Sequence, residues 1–300
     1  MNRLPFITYD VFTTERFAGN PLAIVLGAED LTAAAMQKIA SEFNLSETIF
    51  VCPPDNPTHT ARVRIFTPTF EMSFAGHPTI GCAIHLARSR FGQDADIDTV
   101  LVLEENVGPV RCVVRLSPGA PAFAAFDSPK LSENLGPAPT DALVAQALGL
   151  QSSQIGFDHH RASRFSAGAP FMYVPVENLD ALALCRPSHE IETLLDGAIG
   201  IVAYARLPKD SPHAFRVRMF APGAGVPEDP ATGSAAAAMA GVLVQFDGLS
   251  DGAHQMPLEQ GVEMGRPSLI ALDVQVRDGR LSGCRIGGHA VPVASGEILL

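Results

Sequence analysis

The sequence predicts an α+β protein of two related lobes, and three observations carry that prediction. The chain repeats itself: Arg62-Val63-Arg64-Ile65-Phe66 returns as Arg216-Val217-Arg218-Met219-Phe220, and His77-Pro78-Thr79-Ile80-Gly81 is echoed by Asp229-Pro230-Ala231-Thr232-Gly233. A third echo, in the same order, links Arg16-Phe17-Ala18-Gly19-Asn20-Pro21 to Arg164-Phe165-Ser166-Ala167-Gly168-Ala169-Pro170. A spacing of about 150 residues is far too long for a solenoid repeat and suits a duplicated domain. Each half also carries many short apolar runs bounded by Gly and Pro, and one long helix pattern made of small and apolar residues.

Taken in order, strands are expected at 6–12 and 22–26, a helix over 32–43, and strands at 48–52 and 61–66. A helix over 78–90 and strands at 99–104 and 110–116 follow, the last two joined by the turn signal Asn106-Val107-Gly108-Pro109. The Pro/Gly-rich stretch over 119–139 reads as a linker between lobes at 1–118 and 140–300, with the last strand placed to pack on the first lobe. The second half predicts a short helix at 140–148, strands at 171–176, 199–205 and 214–220, and an alanine-rich helix over 230–245. Late strands flank the turn Arg277-Asp278-Gly279-Arg280.

Composition narrows the function. An apolar share of 47% with 18% charged residues is globular. A net charge of −11 without a basic run argues against a nucleic-acid partner. The longest apolar run, 235–246, is too short to span a bilayer. The five cysteines show no Cys-x-x-Cys pair, which disfavours structural zinc and disulfides and fits the cytoplasm. No His/Asp/Glu grouping has metal-ligand spacing. Gly223-Ala224-Gly225 lacks the third glycine of a dinucleotide loop. His159, His160 and His213 lie in polar stretches and read as surface residues; His289 has no evident partner.

The repeated Pro-x-x-Gly segments read as helix beginnings, with Pro in the first turn and His77 or Asp229 at or near the cap. The side chains behind them are small and apolar, so both helices are expected to be buried. A buried start leaves amides that need partners. If the two starts face one cleft, their positive ends favour an anion, most simply the carboxylate of a small substrate. The plainer alternative is that each helix is capped by its own side chains and binds nothing. Glu47, between Leu45 and the apolar Ile49-Phe50, is a partly desolvated carboxylate fit for proton transfer, though a Glu in such a place is more often a solvated loop residue.

Five motifs together decide this. Tyr9-Asp10-Val11-Phe12, Phe17-Ala18-Gly19-Asn20-Pro21, Asn44-Leu45-Ser46-Glu47-Thr48, Gly76-His77-Pro78-Thr79 and Glu228-Asp229-Pro230-Ala231-Thr232-Gly233-Ser234-Ala235 resemble, in order and over nearly the whole chain, the PhzF-like family of phenazine-biosynthesis isomerases. The resemblance implies a diaminopimelate-epimerase-like fold: two pseudo-symmetric domains, each a barrel-like sheet around a central helix. It also implies a cofactor-independent isomerase acting on a small carboxylate, and a homodimer. The family's general acid/base falls on Glu47, its supporting histidine on His77 and its aspartate on Asp229; Ser46, Gly76, Gly233 and Ser234 fall on substrate-binding positions. The wider superfamily's two-thiol epimerisation is disfavoured, because Cys82 lies inside its helix with Ser234 as its rough counterpart. A non-catalytic binding or regulatory member is the alternative from another class.

Overall fold

The computed structural model describes residues 3–188 and 190–300. The chain forms two compact units, Met1–Asp127 with Gly287–Leu300, and Ser128–Ile286.

The first unit opens with β1 (Arg3–Val11), β2 (Asn20–Leu26), α1 (Ala33–Phe43), β3 (Glu47–Cys52), β4 (Ala61–Phe66) and β5 (Glu71–Met72). It continues with α2 (Gly76–Phe91), β6 (Ile97–Glu105), β7 (Gly108–Leu116) and β8 (Ala122–Asp127). Thr32 caps α1 by accepting the Ala35 N–H, and Asn44 ends it in the left-handed region at φ 51°. That stop turns the chain into β3, whose first residue is Glu47. The sheet runs from β1 to β2, then parallel to β3, antiparallel to β4, parallel to β6, and on through β7 to β8. Inside it lies α2, against β1, β2, β3, β6, β7 and β8.

The second unit holds β9 (Glu133–Pro137), α3 (Asp141–Leu148), β10 (Ser163–Ser166), β11 (Pro170–Pro175), α4 (Leu179–Leu184), α5 (Ile191–Leu195) and β12 (Gly200–Arg206). After these come β13 (Phe215–Ala221), β14 (Val226–Asp229), α6 (Gly233–Asp247), β15 (Gly252–Gln255), β16 (Leu258–Gln260), β17 (Ser268–Arg277) and β18 (Arg280–Leu299). Its sheet runs β9, β10, β11, β12, β13, β16, β17, with β11–β12 and β13–β16 parallel. It wraps α6, which packs on β9, β10, β11 and β17. Asp278 and Gly279, at φ 52° and 67°, make the turn into β18. The later part of β18 belongs to the first unit, where Ala290–Leu299 pairs with β1 and the strand also pairs with β8, closing that sheet into a barrel.

Both central helices are buried over most of their length, as their small residues require. Glycine is needed where strands come closest: a Cβ on Gly81 would sit 2.6 Å from Leu22 Cδ2 and 2.9 Å from Val11 Cγ2. A Cβ on Gly241 would meet Ser132 and Phe165 in the same way.

The Arg-x-Arg repeat builds one device twice. Arg64 donates two hydrogen bonds to Glu71, at 2.8 and 2.6 Å, and its guanidinium lies 5.2 Å over the Phe66 ring. Arg218 donates two to Glu228, at 2.8 and 2.9 Å, and lies 4.8 Å over Phe220. These forks are bidentate and each arginine covers an aromatic face. Beside Arg64, the Glu71 carboxyl is held below its ordinary value by that hydrogen bond.

The structure departs from the sequence expectation in two places. The segment over 119–139 carries β8 and β9, and β8 is largely buried on β7. His160 is not on the surface: it is 4% exposed, bonded to Tyr204 Oη at 2.8 Å and Asp247 Oδ1 at 2.9 Å, and stacked on Phe157. Its hydrogen-bond partners lie far along the chain, where a local polar stretch gives no hint of them. No helix among the described residues is long and apolar enough to cross a membrane.

Candidate functional site

In the first unit the relevant residues gather where the parallel strands β2 and β3 begin, beside the start of α2. The register sets Leu22 opposite Glu47, so Asn20, Pro21, Ser46 and Glu47 fall at one end of the pair. The loop before β2 is held by Asp10, whose Oδ2 accepts the Phe17 N–H at 2.6 Å. Gly19 follows at φ 66°, and a Cβ there would strike the Val11 carbonyl and Thr13. This loop delivers Asn20, fully buried, next to Ser46 (Oγ to Oδ1 3.5 Å).

His77 Nδ1 lies 3.3 Å from Glu47 Oε2, the side chains being 4% and 16% exposed. Burial drives the imidazole pKa down to about 3, offset in part by a hydrogen bond to the Pro21 carbonyl. His77 is therefore neutral at working pH, and the contact is not an ion pair. A neutral imidazole has one N–H and one lone pair. The Pro21 carbonyl can only accept, so with Nε2 unpartnered the ring proton sits on Nδ1, the nitrogen that faces Glu47 Oε2. His77 Nε2 is buried without a hydrogen-bond partner.

The helix start differs from the expectation. The cap of α2 is Ala75, with Gly76 and His77 the first two helical residues, and it has no side-chain cap hydrogen bond. In the second unit Asp229 ends β14, and α6 begins only at Gly233 after the cap Thr232. By position in the helix the counterparts are therefore Gly76 with Gly233 and His77 with Ser234, not His77 with Asp229. Ser234 likewise does not match Cys82, and Pro230 does not lie in the first helical turn.

The physical reason is a buried turn ahead of α6. Thr232 Oγ1 donates to Asp229 Oδ2 at 2.6 Å, and Gln260 Oε1 accepts the Thr232 N–H at 3.1 Å. Gln260 Nε2 donates to the Asp229 carbonyl at 2.8 Å and approaches Thr232 Oγ1 at 3.1 Å. With its hydroxyl engaged this way, Thr232 makes no side-chain cap bond, so α6 too starts uncapped by a side chain. Two uncapped helix starts with small residues behind them are suited to anionic oxygen.

The structure thus brings Ser46, Glu47, Gly76 and His77 together in the first unit, and Asp229, Gly233 and Ser234 at the start of α6 in the second. Reading the chain alone did not assign Asn20, Pro21, Thr232 or Gln260. Asn20 and Pro21 stand in a motif that could have flagged them, whereas Gln260 carries no local signal. Cys82 is fully buried, and burial pushes its thiol well above the ordinary range. Among the described residues, no group of three or more His, Cys, Asp and Glu is placed to hold a metal ion.

Comparison with known proteins identifies the family and the fold. The model of the phenazine biosynthesis-like protein family (PhzC-PhzF) matches residues 9–296. An uncharacterized isomerase of Mesorhizobium japonicum is 50% identical over 98% of each chain. The trans-2,3-dihydro-3-hydroxyanthranilate isomerase of Pseudomonas chlororaphis is 35% identical over 98% of this chain and 99% of that one. The crystal structure of a PhzF-family phenazine biosynthesis protein from Bacillus anthracis superposes with a TM-score of 0.88 at 27% identity, covering 100% of both chains. The fold is the diaminopimelate-epimerase-like one.

Proposed function

We propose a cofactor-independent proton-shift isomerase acting on a small carboxylate, from the premise that this chain belongs to the phenazine biosynthesis-like protein family, a family of isomerases. The observation that carries the reading is the Glu47–His77 pair, a partly shielded carboxyl group against a neutral imidazole.

Glu47 as carboxylate takes a proton from one substrate carbon. The C–H electron pair becomes part of a new double bond, an existing double bond shifts, and the far carbon takes the proton back from Glu47. Nothing is oxidised or reduced, and substrate and product are isomers. His77 stands against Glu47 with its Nδ1 side and offers the Nε2 lone pair to a polar substrate group. On the family resemblance we assign Asp229 to orienting an amino or hydroxyl group, and Ser234, Ser46 and the amides at Gly76 and Gly233 to holding the carboxylate. A homodimer and a cytoplasmic setting belong to the same proposal.

Two-thiol epimerisation is not favoured: Cys82 is sealed inside α2, and α6 contains no cysteine. A binder without turnover is separated by experiment. Small amino and hydroxy carboxylates are screened for thermal stabilisation, and trans-2,3-dihydro-3-hydroxyanthranilate is then tested for turnover by NMR. The isomerase reading expects both a raised melting temperature and a moved carbon-bound proton; stabilisation by the screened acids with no conversion of any of them supports the binder.

A further inference from the structure

Behind the start of α2 lies a buried acid that the mechanism above does not use. Glu105, at the end of β6, is 7% exposed, with Oε1 2.7 Å from Thr79 Oγ1. The same Thr79 oxygen lies 2.7 Å from the carbonyl of Ala75, the α2 cap residue. A hydroxyl has one hydrogen to give. It cannot donate to both oxygens, and the Ala75 carbonyl has no hydrogen to offer. One of the two short contacts therefore lacks a proton unless the carboxyl supplies it.

We infer that Glu105 is a protonated carboxylic acid whose O–H donates to Thr79 Oγ1, leaving the Thr79 hydroxyl to donate to the Ala75 carbonyl, and that this chain of hydrogen bonds is a positioning element for His77. Every short contact then has one proton. The remaining oxygen, Oε2, is buried without a partner, which is tolerable for the carbonyl oxygen of a neutral acid and costly for a carboxylate. The surroundings agree: among the described residues, the ionisable groups that interact with Glu105 are the fully buried thiols Cys82 of α2 and Cys112 of β7, with no cation contributing. Burial pushes the Glu105 carboxyl up to about 8.

The chain ends two residues before His77. It fixes the peptide that enters α2, and with it the approach of His77 Nδ1 to Glu47. The catalytic consequence rests on the isomerase reading; the protonation does not, so the two are measured separately.

Infrared difference spectroscopy of wild type against Glu105→Gln at neutral pH reads the proton. We expect a carboxylic-acid C=O band in wild type that is missing from the variant and moves in Thr79→Val. A carboxylate band in its place overturns the proposal. Positioning is read by NMR of 15N-labelled histidine, which needs no substrate. Thr79→Val and Glu105→Leu should move the His77 ring resonances, while Thr79→Ser and Glu105→Gln, which can still donate along the chain, should leave them near wild type. His77 resonances indifferent to Thr79→Val overturn the positioning role. With trans-2,3-dihydro-3-hydroxyanthranilate, kcat should fall about 10-fold or more in Thr79→Val with KM nearly unchanged and recover in Thr79→Ser. Unchanged kcat in Thr79→Val also overturns the positioning role. Absence of turnover in wild type counts against the isomerase reading and leaves the spectroscopic results to decide the proton chain.

Discussion

His77 Nδ1 stands 3.3 Å from Glu47 Oε2, although the two residues come from different elements, the second helical position of α2 and the first residue of β3. The imidazole is buried and neutral, and the carboxyl group retains some access to solvent. A proton carrier needs that asymmetry: the partner keeps its charge state while the carrier changes its own.

His77 gives the native state an acid sensitivity. Its pKa is about 3 in the folded protein against 6.5 for the free side chain, so the unfolded chain binds this proton first. Stability is therefore lost progressively as pH falls from about 6.5 toward 3, by roughly 3–5 kcal/mol at most for this group. Urea unfolding of His77→Gln over that range should lack this component. An identical pH slope in wild type and variant would contradict the burial of a neutral His77.

Glu105 acts with the opposite sign. Its folded pKa is raised to about 8 from 4.5, so between those values the native state holds a proton that the unfolded chain has released. Stability falls as pH rises through that window, and the cost is complete above about pH 8. Glu105→Gln removes the linkage. Its melting temperature relative to wild type should improve from pH 5 to pH 8, and a difference constant with pH would refute the assignment.

The turn before α6 depends on one hydroxyl. Thr232→Val deletes the bond to Asp229 and one of the contacts to Gln260 while keeping the side-chain shape. The expected loss is about 1–3 kcal/mol in chemical denaturation, with a larger fall in turnover than in folding as Asp229 is released. Wild-type activity in this variant would separate Asp229 from the chemistry.

Close approach of α2 to its barrel is tested at Gly81. Valine there meets Leu22 and Val11 at impossible distances, and overpacking of this kind costs about 1–3 kcal/mol. Calorimetry should show a lowered melting temperature, while Leu22→Ala in the same background should recover part of it. No recovery would place the strain elsewhere.

Much of this architecture was legible because duplication is a long-range signal written in local motifs. Arg62–Phe66 and Arg216–Phe220 repeat since each sets an arginine fork over a phenylalanine. The strand expected at 61–66 is β4, and Glu47 and His77, two candidates from separate motifs, do meet. The pairing of His77 with Asp229 misled, because similar tetrapeptides enter helices at different points. The Thr232–Gln260 network postpones the second helix, and Gln260 lies well beyond the motif. His160 misled for the same reason, its partners Tyr204 and Asp247 being distant in sequence. Helices as short as α4 and α5 have too few turns to show periodicity, and β9 is polar and mostly exposed.

Whether Glu47 carries the proton is read out by proton NMR of trans-2,3-dihydro-3-hydroxyanthranilate in D2O with wild type and Glu47→Gln side by side. Wild type should move a carbon-bound proton, with deuterium entering at the reprotonated carbon. Glu47→Gln, melting at a similar temperature, should be slower by about 10²–10⁴-fold. Turnover at the wild-type rate by folded Glu47→Gln would contradict that role for Glu47.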